Sequence, residues 1–324
     1  MDPWRPVDRA VVTHAHSDHA CPGSRAYLTA KPGEALLRAR IGSEGAIQPL
    51  DYGEAVTMNG VRVCLHPAGH ILGSAQVRIE SGGEVWVVSG DYKVEPDPTC
   101  TAFEPVLCDT FVTESTFGLP IYRWPAEAAV FADIRGWWAA NQQAGKAGML
   151  FAYSLGKAQR VLAGLNPAVP IYTHGSIENF CRLYREAGVA LAPTIHASAA
   201  PEATDWSRAL ILAPPSANGT PWMRRFGPLS TALVSGWMRI RGARRRRSLD
   251  RGFVLSDHAD WPGLMSAIRA SIRPGGASRV WVTHGYRAPV AQWLTQQGID
   301  AQAVETRFES EQDETGAEPA EDEP

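Results

Sequence analysis

The chain lacks several features that would assign it to a class at once. No run of about 18 apolar residues occurs, so no helical span is expected. The opening MDPWRPVDRA has no apolar core of the signal-peptide kind, and the expected location is the cytoplasm. The five cysteines (Cys21, Cys64, Cys100, Cys108 and Cys181) form no C-x-x-C pair, and their number is odd. They read as reduced, mostly buried thiols rather than as disulfide staples or zinc ligands. Internal repeats are absent, and low complexity is confined to the end of the chain. That end, ESEQDETGAEPAEDEP (309–324), contains no base at all.

What is there is otherwise ordinary for a globular protein of 324 residues, with 44% hydrophobic and 20% charged residues. The length allows two domains. The net charge of −3 conceals an asymmetry. Without the eight acids of the last sixteen residues, the body carries 26 acidic against 31 basic residues. The tail has no hydrophobic pattern and is expected to be disordered. The densest basic run is RIRGARRRR (239–247), which includes Arg244, Arg245, Arg246 and Arg247. A charge run is commonly a solvated loop. On a mildly basic body this one points to a polyanion partner.

Short strand-like runs dominate residues 10–13 and 55–114, among them VRVCLH, AQVRIE and EVWVVSGD. From about 118 to 250, strands and helices alternate. PAEAAVFADIRGWWAANQQAG reads as a helix stopping at Gly145, followed by the strand GMLFAY, the helix LGKAQRVLAGL, the strand VPIYTH and the helix SIENFCRLYREAG. This pattern predicts a βαβ insert with its own parallel sheet. Beyond GFVLSDHADW the chain predicts a helix over 261–272, the strand RVWVTHG and a last helix from about 287.

The nine histidines are unevenly placed. VVTHAHSDHA (11–20) puts His14, His16, Asp18 and His19 at the end of one apolar strand. Two residues apart in an extended segment, His14 and His16 share a side. Imidazoles and a carboxylate at a rigid strand end suit zinc or a similar divalent ion. The plain alternative, a set of surface histidines, is poor for four ligand-type residues in H-x-H-x-D-H order. Further ligand-type residues follow apolar runs or glycine turns: His70 in HPAGHILGSAQ, Asp91 in VWVVSGDYK and His284 in RVWVTHGY. Such residues at several strand ends predict a site assembled on one edge of a sheet. His66 and His196 read as structural or solvent-facing, and His174 is ambiguous.

These motifs resemble the metallo-β-lactamase superfamily and, within it, the β-CASP nucleases. His14, His16, Asp18, His19, His70 and Asp91 match the superfamily pattern. Glu114 in VTEST, His258 in LSDHAD and His284 match the β-CASP additions. The likeness covers roughly residues 8–290 and is nearest to bacterial ligase-associated DNA exonucleases, on stretches such as APPSANGTPWMRRFG and RGARRRRSLDRGFVLSDHADWPGL. It implies an α/β fold: an αββα sandwich from residues 1–117 and 252–308, a β-CASP insert at 118–251 that closes over it as a lid, and the tail. It also implies one or two strands ahead of the first metal motif. Only 13 residues precede His14, so either the start of the sequence is late or the first strands are absent, which leaves that sheet edge open.

The resemblance implies two divalent ions, zinc with manganese as the alternative. One is held by His14, His16, His70 and a bridging Asp91, the other by Asp18, His19, Asp91 and His284. Such a pair holds a hydroxide that attacks phosphorus. His258 is then the general acid, oriented by Glu114, with Asp257 as an alternative partner. Asp18 counts among the catalytic residues as well as the ligands. Ser216, Asn218 and Arg224 in the loop at PPSANGTPW, Lys157 near a helix start, and Arg244–Arg247 are candidate nucleic-acid contacts, the first group being equally readable as a plain turn. Trp222, Trp237 and Trp261 either stack on bases or belong to the core, whereas Trp137–Trp138 reads as core. The implied activity is exonucleolytic trimming of DNA ends in repair, on single strands or duplex ends, in functional association with a DNA ligase and helicase and without a membrane. RNA processing of the RNase J type is the alternative, favoured by a histidine at position 284. A small-molecule hydrolase and an inactive nucleic-acid-binding scaffold fit less well, because the insert and all the motif positions are present.

Overall fold

The structure, a computed structural model, describes residues 1–165, 170–240, 249–274 and 278–305. Arg244–Arg247 and the acidic tail lie outside these residues. The described residues divide into two compact units, one built from Met1–Arg123 together with 257–305, the other from Trp124–Ser256. The class is α/β, with parallel and mixed sheets. No described helix is long and apolar enough to cross a membrane.

The first unit holds two sheets. Strands β1 (Arg9–Val11), β2 (Ala26–Ala30) and β3 (Ala46–Leu50) form a parallel three-stranded sheet. β1 is an edge strand there, and on its side away from β2 the Asp2 amide donates to the Val11 carbonyl. The larger sheet takes β4 (Ala55–Met58), β5 (Val61–Pro67), β6 (Ala75–Ser81), β7 (Glu84–Val88) and β8 (Thr110–Thr113), then β15 (Arg279–Val282) and β16 (Asp300–Ala303) from the end of the chain. Its order is β16-β15-β8-β7-β6-β5-β4, antiparallel from β4 to β7 and parallel from β7 to β16.

Alternation along the strands decides which side chains enter which core. Val85 and Val87 of β7, Phe111 of β8, and Val280 and Val282 of β15 pack on Leu264, Met265 and Ile268 of the helix Trp261–Ser271 and on Val290 and Leu294 of the helix Arg287–Gln296. A second cluster joins Leu28, Ala30 and Leu50 of the small sheet to Val63, Leu65 and Val77 of the large one. Each fully buried Leu, Ile or Val contributes about 1.5–3 kcal/mol. The helix Glu34–Ile41 and strands β2 and β3 occupy a stretch where the sequence shows no clear pattern, because AYLTA is short and AIQPL carries a proline.

The second unit is built on one parallel sheet of β9 (Ala147–Phe151), β10 (Ile171–Thr173), β11 (Thr194–His196), β12 (Leu210–Ala213), β13 (Leu229–Val234) and β14 (Arg251–Phe253), in the order β11-β10-β12-β9-β13-β14. All five residues of β9 are buried, as a strand covered on both faces requires. The helices Glu127–Gln143, Lys157–Leu165 and Gly175–Glu186 fall where the 3.6-residue period predicts them. Gly145, at φ +66, follows the first, whose Trp137 and Trp138 are buried in the core. Three cysteines are buried, two are half-buried, and all five are free.

Candidate metal centre

Four buried donors converge within the first unit. Starting at the Val11 end of β1, the chain passes through Thr13 into the loop that carries His14 and His16. His70 follows β5, and Asp91 follows β7. Gly90 permits the approach of the Asp91 loop: its φ is +57, and a Cβ there would stand 2.8 Å from the Thr13 side chain. Gly69, at φ +74, plays the same part for His70, since a Cβ would stand 2.3 Å from the Lys93 carbonyl.

His16 Nδ1 lies 3.1 Å from both His14 Nε2 and His70 Nε2, and Asp91 Oδ2 lies 3.6 Å from His14 Nε2 and 3.8 Å from His70 Nε2. All four donor atoms fall within 4.8 Å of one another. The corners of a tetrahedron with zinc-type bonds of about 2.0–2.1 Å stand about 3.4 Å apart. The spacing therefore fits one ion in the middle.

Hydrogen bonds on the outer sides of the His14 and His70 rings fix which nitrogen carries the lone pair. The Thr13 hydroxyl donates to Asp2 Oδ2 at 2.6 Å, so its oxygen accepts from His14 Nδ1–H at 3.1 Å. His70 Nδ1–H donates to the Asp257 carbonyl at 2.9 Å. The inward Nε2 atoms of His14 and His70 are then acceptors, as metal ligation requires. Burial, followed by the neighbouring His19 charge, holds His14 well below the ordinary imidazole range. Burial and His258 push His70 down to about 3. Both rings are neutral at physiological pH, which removes the proton that would compete with a cation.

A second group shares the same carboxylate oxygen. His19 Nε2 lies 3.4 Å from Asp91 Oδ2 and 3.7 Å from Asp18 Oδ2, while His19 Nδ1 donates to Asp2 Oδ2 at 2.8 Å. Burial opposes charge on His19, but the Asp91 and Asp2 carboxylates outweigh it and raise His19 well above its usual range. Burial likewise opposes charge on Asp91, yet His19 and its neighbours hold that carboxyl well below the ordinary value. Three carboxylates around one imidazole make a setting that a divalent cation neutralises.

Beside this cluster, His258 Nδ1 stands 3.0 Å from each oxygen of Glu114, and both residues are buried. Asp91, Glu114 and His258 form the second compact group of ligand-type atoms among the described residues. The Tyr92 amide at 2.8 Å and the Thr116 hydroxyl hold the Glu114 carboxylate. Asp257 contributes its backbone carbonyl, to His70.

His284 follows β15, whose pairing of Val282 with Thr113 sets it level with the Glu114 segment. It is half-buried at φ +59, and its carbonyl accepts from the Ser115 hydroxyl. It stands outside both compact donor groups. In the second unit, Lys157 is buried at the first turn of its helix, and Ser216, Asn218 and Arg224 are exposed in short turns.

Several readings that the sequence leaves open are narrowed. Trp261 is 8% exposed and stacks edge-on against Trp293, so it is a core residue and presents no face to a base. Trp222 is half-buried against His174 and Phe226. His174 caps the helix Gly175–Glu186, its Nδ1 accepting from the Ser176 amide. Asp2 is a member of this cluster that the sequence pattern does not single out. It is buried, accepts from the Thr13 amide, the Thr13 hydroxyl and His19, and so ties the two ends of the H-x-H-x-D-H loop together. Its only signal in sequence is an acid ahead of a proline, which is too common to use.

No family model matches the chain. A protein named probable DNA ligase from Opitutus terrae is 31% identical over 307 residues, which is 94% of this chain and 29% of that protein. A protein named endoribonuclease ysh1 from Emericella nidulans is 31% identical over 149 residues, 42% of this chain and 16% of that protein. The chain thus spans less than a third of the length of either relative. Among solved structures, a protein of unknown function from Enterococcus faecalis V583 superposes with a TM-score of 0.60 at 12% identity, covering 93% of this chain and 80% of that one, a likeness of fold alone. By its motifs and these relatives, the chain is similar to the β-CASP nuclease group of the metallo-β-lactamase superfamily.

Proposed function

We propose that the protein is a metal-dependent phosphodiesterase acting as an exonuclease on DNA ends. The observation that carries this reading is the convergence of His14 Nε2, His16 Nδ1, His70 Nε2 and Asp91 Oδ2 at tetrahedral spacing beside the Glu114–His258 pair. In this reading the first unit is the αββα metal domain and the second the β-CASP insert. His14, His16, His70 and Asp91 hold one ion, and Asp18, His19, Asp91 and His284 hold another, zinc being favoured by the imidazole-rich donor set. Bound divalent ions supply Lewis acidity at the phosphate and lower the pKa of water into the physiological range.

The chain's own residues supply the rest. His258 delivers the proton that the departing alkoxide needs. Glu114, accepting from His258 Nδ1, fixes the ring and favours its protonated form. Phe117, edge-on to His258 at 5.8 Å, packs against the ring. Lys157, Ser216, Asn218, Arg224 and the Arg244–Arg247 run are the proposed backbone contacts.

DNA is favoured because a protein named as a DNA ligase carries a 307-residue stretch like this chain. The same relative supports a functional association with ligation. The ribonuclease reading has support of its own in the endoribonuclease-named relative. Side-by-side digestion of end-labelled DNA and RNA of one sequence, with zinc or manganese supplied, decides between them. Shortening of DNA from an end is expected, and RNA degradation with DNA left intact would refute the DNA reading.

A further inference from the structure

We infer that Trp4 and Arg5 form a base-stacking and phosphate-binding platform beside the metal centre, for an unpaired nucleotide of the substrate strand; the inference rests on the nuclease reading above. The indole of Trp4 is 55% exposed, and the Arg5 guanidinium lies 5.2 Å from its ring centroid. Exposed indoles are common on frayed termini. This one is not on such a terminus, because the segment is tied at both ends. At one end Asp2 is buried, accepts from Thr13 and His19, and donates its amide to the Val11 carbonyl. At the other, the Val7 amide donates to the Ser24 hydroxyl, and the Val7 and Asp8 carbonyls accept from the Arg25 and Ala26 amides.

Between these ties, Pro3 and Pro6 restrict the backbone further, and the Pro6 ring packs on Gly23. The result is a short stiff bridge with its largest apolar side chain turned to solvent.

Its position gives that exposure a use. Asp2 Oδ2 stands 2.8 Å from the ring of His19, and Trp4 follows Asp2 by two residues, so the two Cα atoms are at most about 7 Å apart. An aromatic face and a guanidinium thus sit within a few nucleotides of the place where a phosphodiester would be held, linked to it through Asp2 and His19. Every base offers a π-face, so stacking there retains a strand without reading its sequence, and Arg5 adds attraction to the adjoining phosphate. Asp2 thereby serves two sites through one hydrogen-bond set, orienting His19 on one side and anchoring the platform on the other.

The test is fluorescence-anisotropy binding of a labelled single-stranded oligonucleotide to the full chain in EDTA, so that no cleavage contributes. Trp4→Ala should weaken binding by about 5- to 100-fold, and Trp4→Phe should restore most of it. The loss should shrink on an oligonucleotide of abasic sites, which has phosphates but no faces to stack. Arg5→Gln should lower the slope of log Kd against log salt by about 0.7, one phosphate on a single strand. Melting temperatures should stay within about 2 °C of the parent, because exposed substitutions change stability little. Parent-like affinity of Trp4→Ala, in a parent chain that binds and cleaves nucleic acid, overturns the platform and leaves the nuclease reading standing. A parent chain that neither binds nor cleaves any nucleic acid overturns both.

Discussion

Asp91→Asn probes the arrangement of the centre most directly. One oxygen, Oδ2, stands 3.4 Å from His19 Nε2, 3.6 Å from His14 Nε2 and 3.8 Å from His70 Nε2, so a single carboxylate serves both histidine groups. Four-ligand structural zinc sites bind with about 10–16 kcal/mol. One anionic donor of four therefore carries about 2.5–4 kcal/mol, or about 10²- to 10³-fold in affinity. The amide keeps the shape but loses the charge, and both proposed ions should weaken together. The fold should survive. Leaving one member of a buried ion pair commonly costs about 3–5 kcal/mol, but His19 keeps the Asp2 carboxylate as a partner at 2.8 Å. The measurement is metal content per chain across a buffered zinc series, beside circular dichroism and cleavage of end-labelled DNA. Two tightly held ions per chain with near-normal turnover would refute the shared role of Asp91.

Two further predictions concern the residues around the ligands. His258→Ala should retain metal and substrate binding and lose about 10²- to 10⁴-fold in rate, the usual span for general acid catalysis; the loss should shrink on a nitrophenyl phosphodiester, whose leaving group needs no proton, and an equal loss on both substrates would assign His258 to metal binding or structure. Asp2→Asn should lower metal affinity by about 10- to 100-fold through the misorientation of His19 and Thr13, as outer partners of metal ligands commonly do, and isothermal titration with zinc that matched the parent would show Asp2 to be a fold residue only.

Much of the centre is legible in the amino-acid sequence, because its chemistry is carried by residues close together along the chain. H-x-H-x-D-H after an apolar strand, and Asp91 directly after another, state the ligand types and their support. The alternation of β7 and the 3.6-residue period of Glu127–Gln143 likewise depend on neighbours a few residues apart, and they predict strand and helix correctly. Contacts between distant positions are of another kind. The Asp257 carbonyl meets His70 across 187 residues, and Glu114 meets His258 across 144. Asp2 meets His19 over a shorter separation, but with no pattern to mark it. The burial of Trp261, which removes it from the candidate stacking residues, is decided the same way. Sequence alone determined which donors exist and which strand ends carry them. Only the tertiary structure decided which nitrogen of each ring faces inward, because that depends on a hydrogen bond to whatever the packed chain brings to the ring's other side.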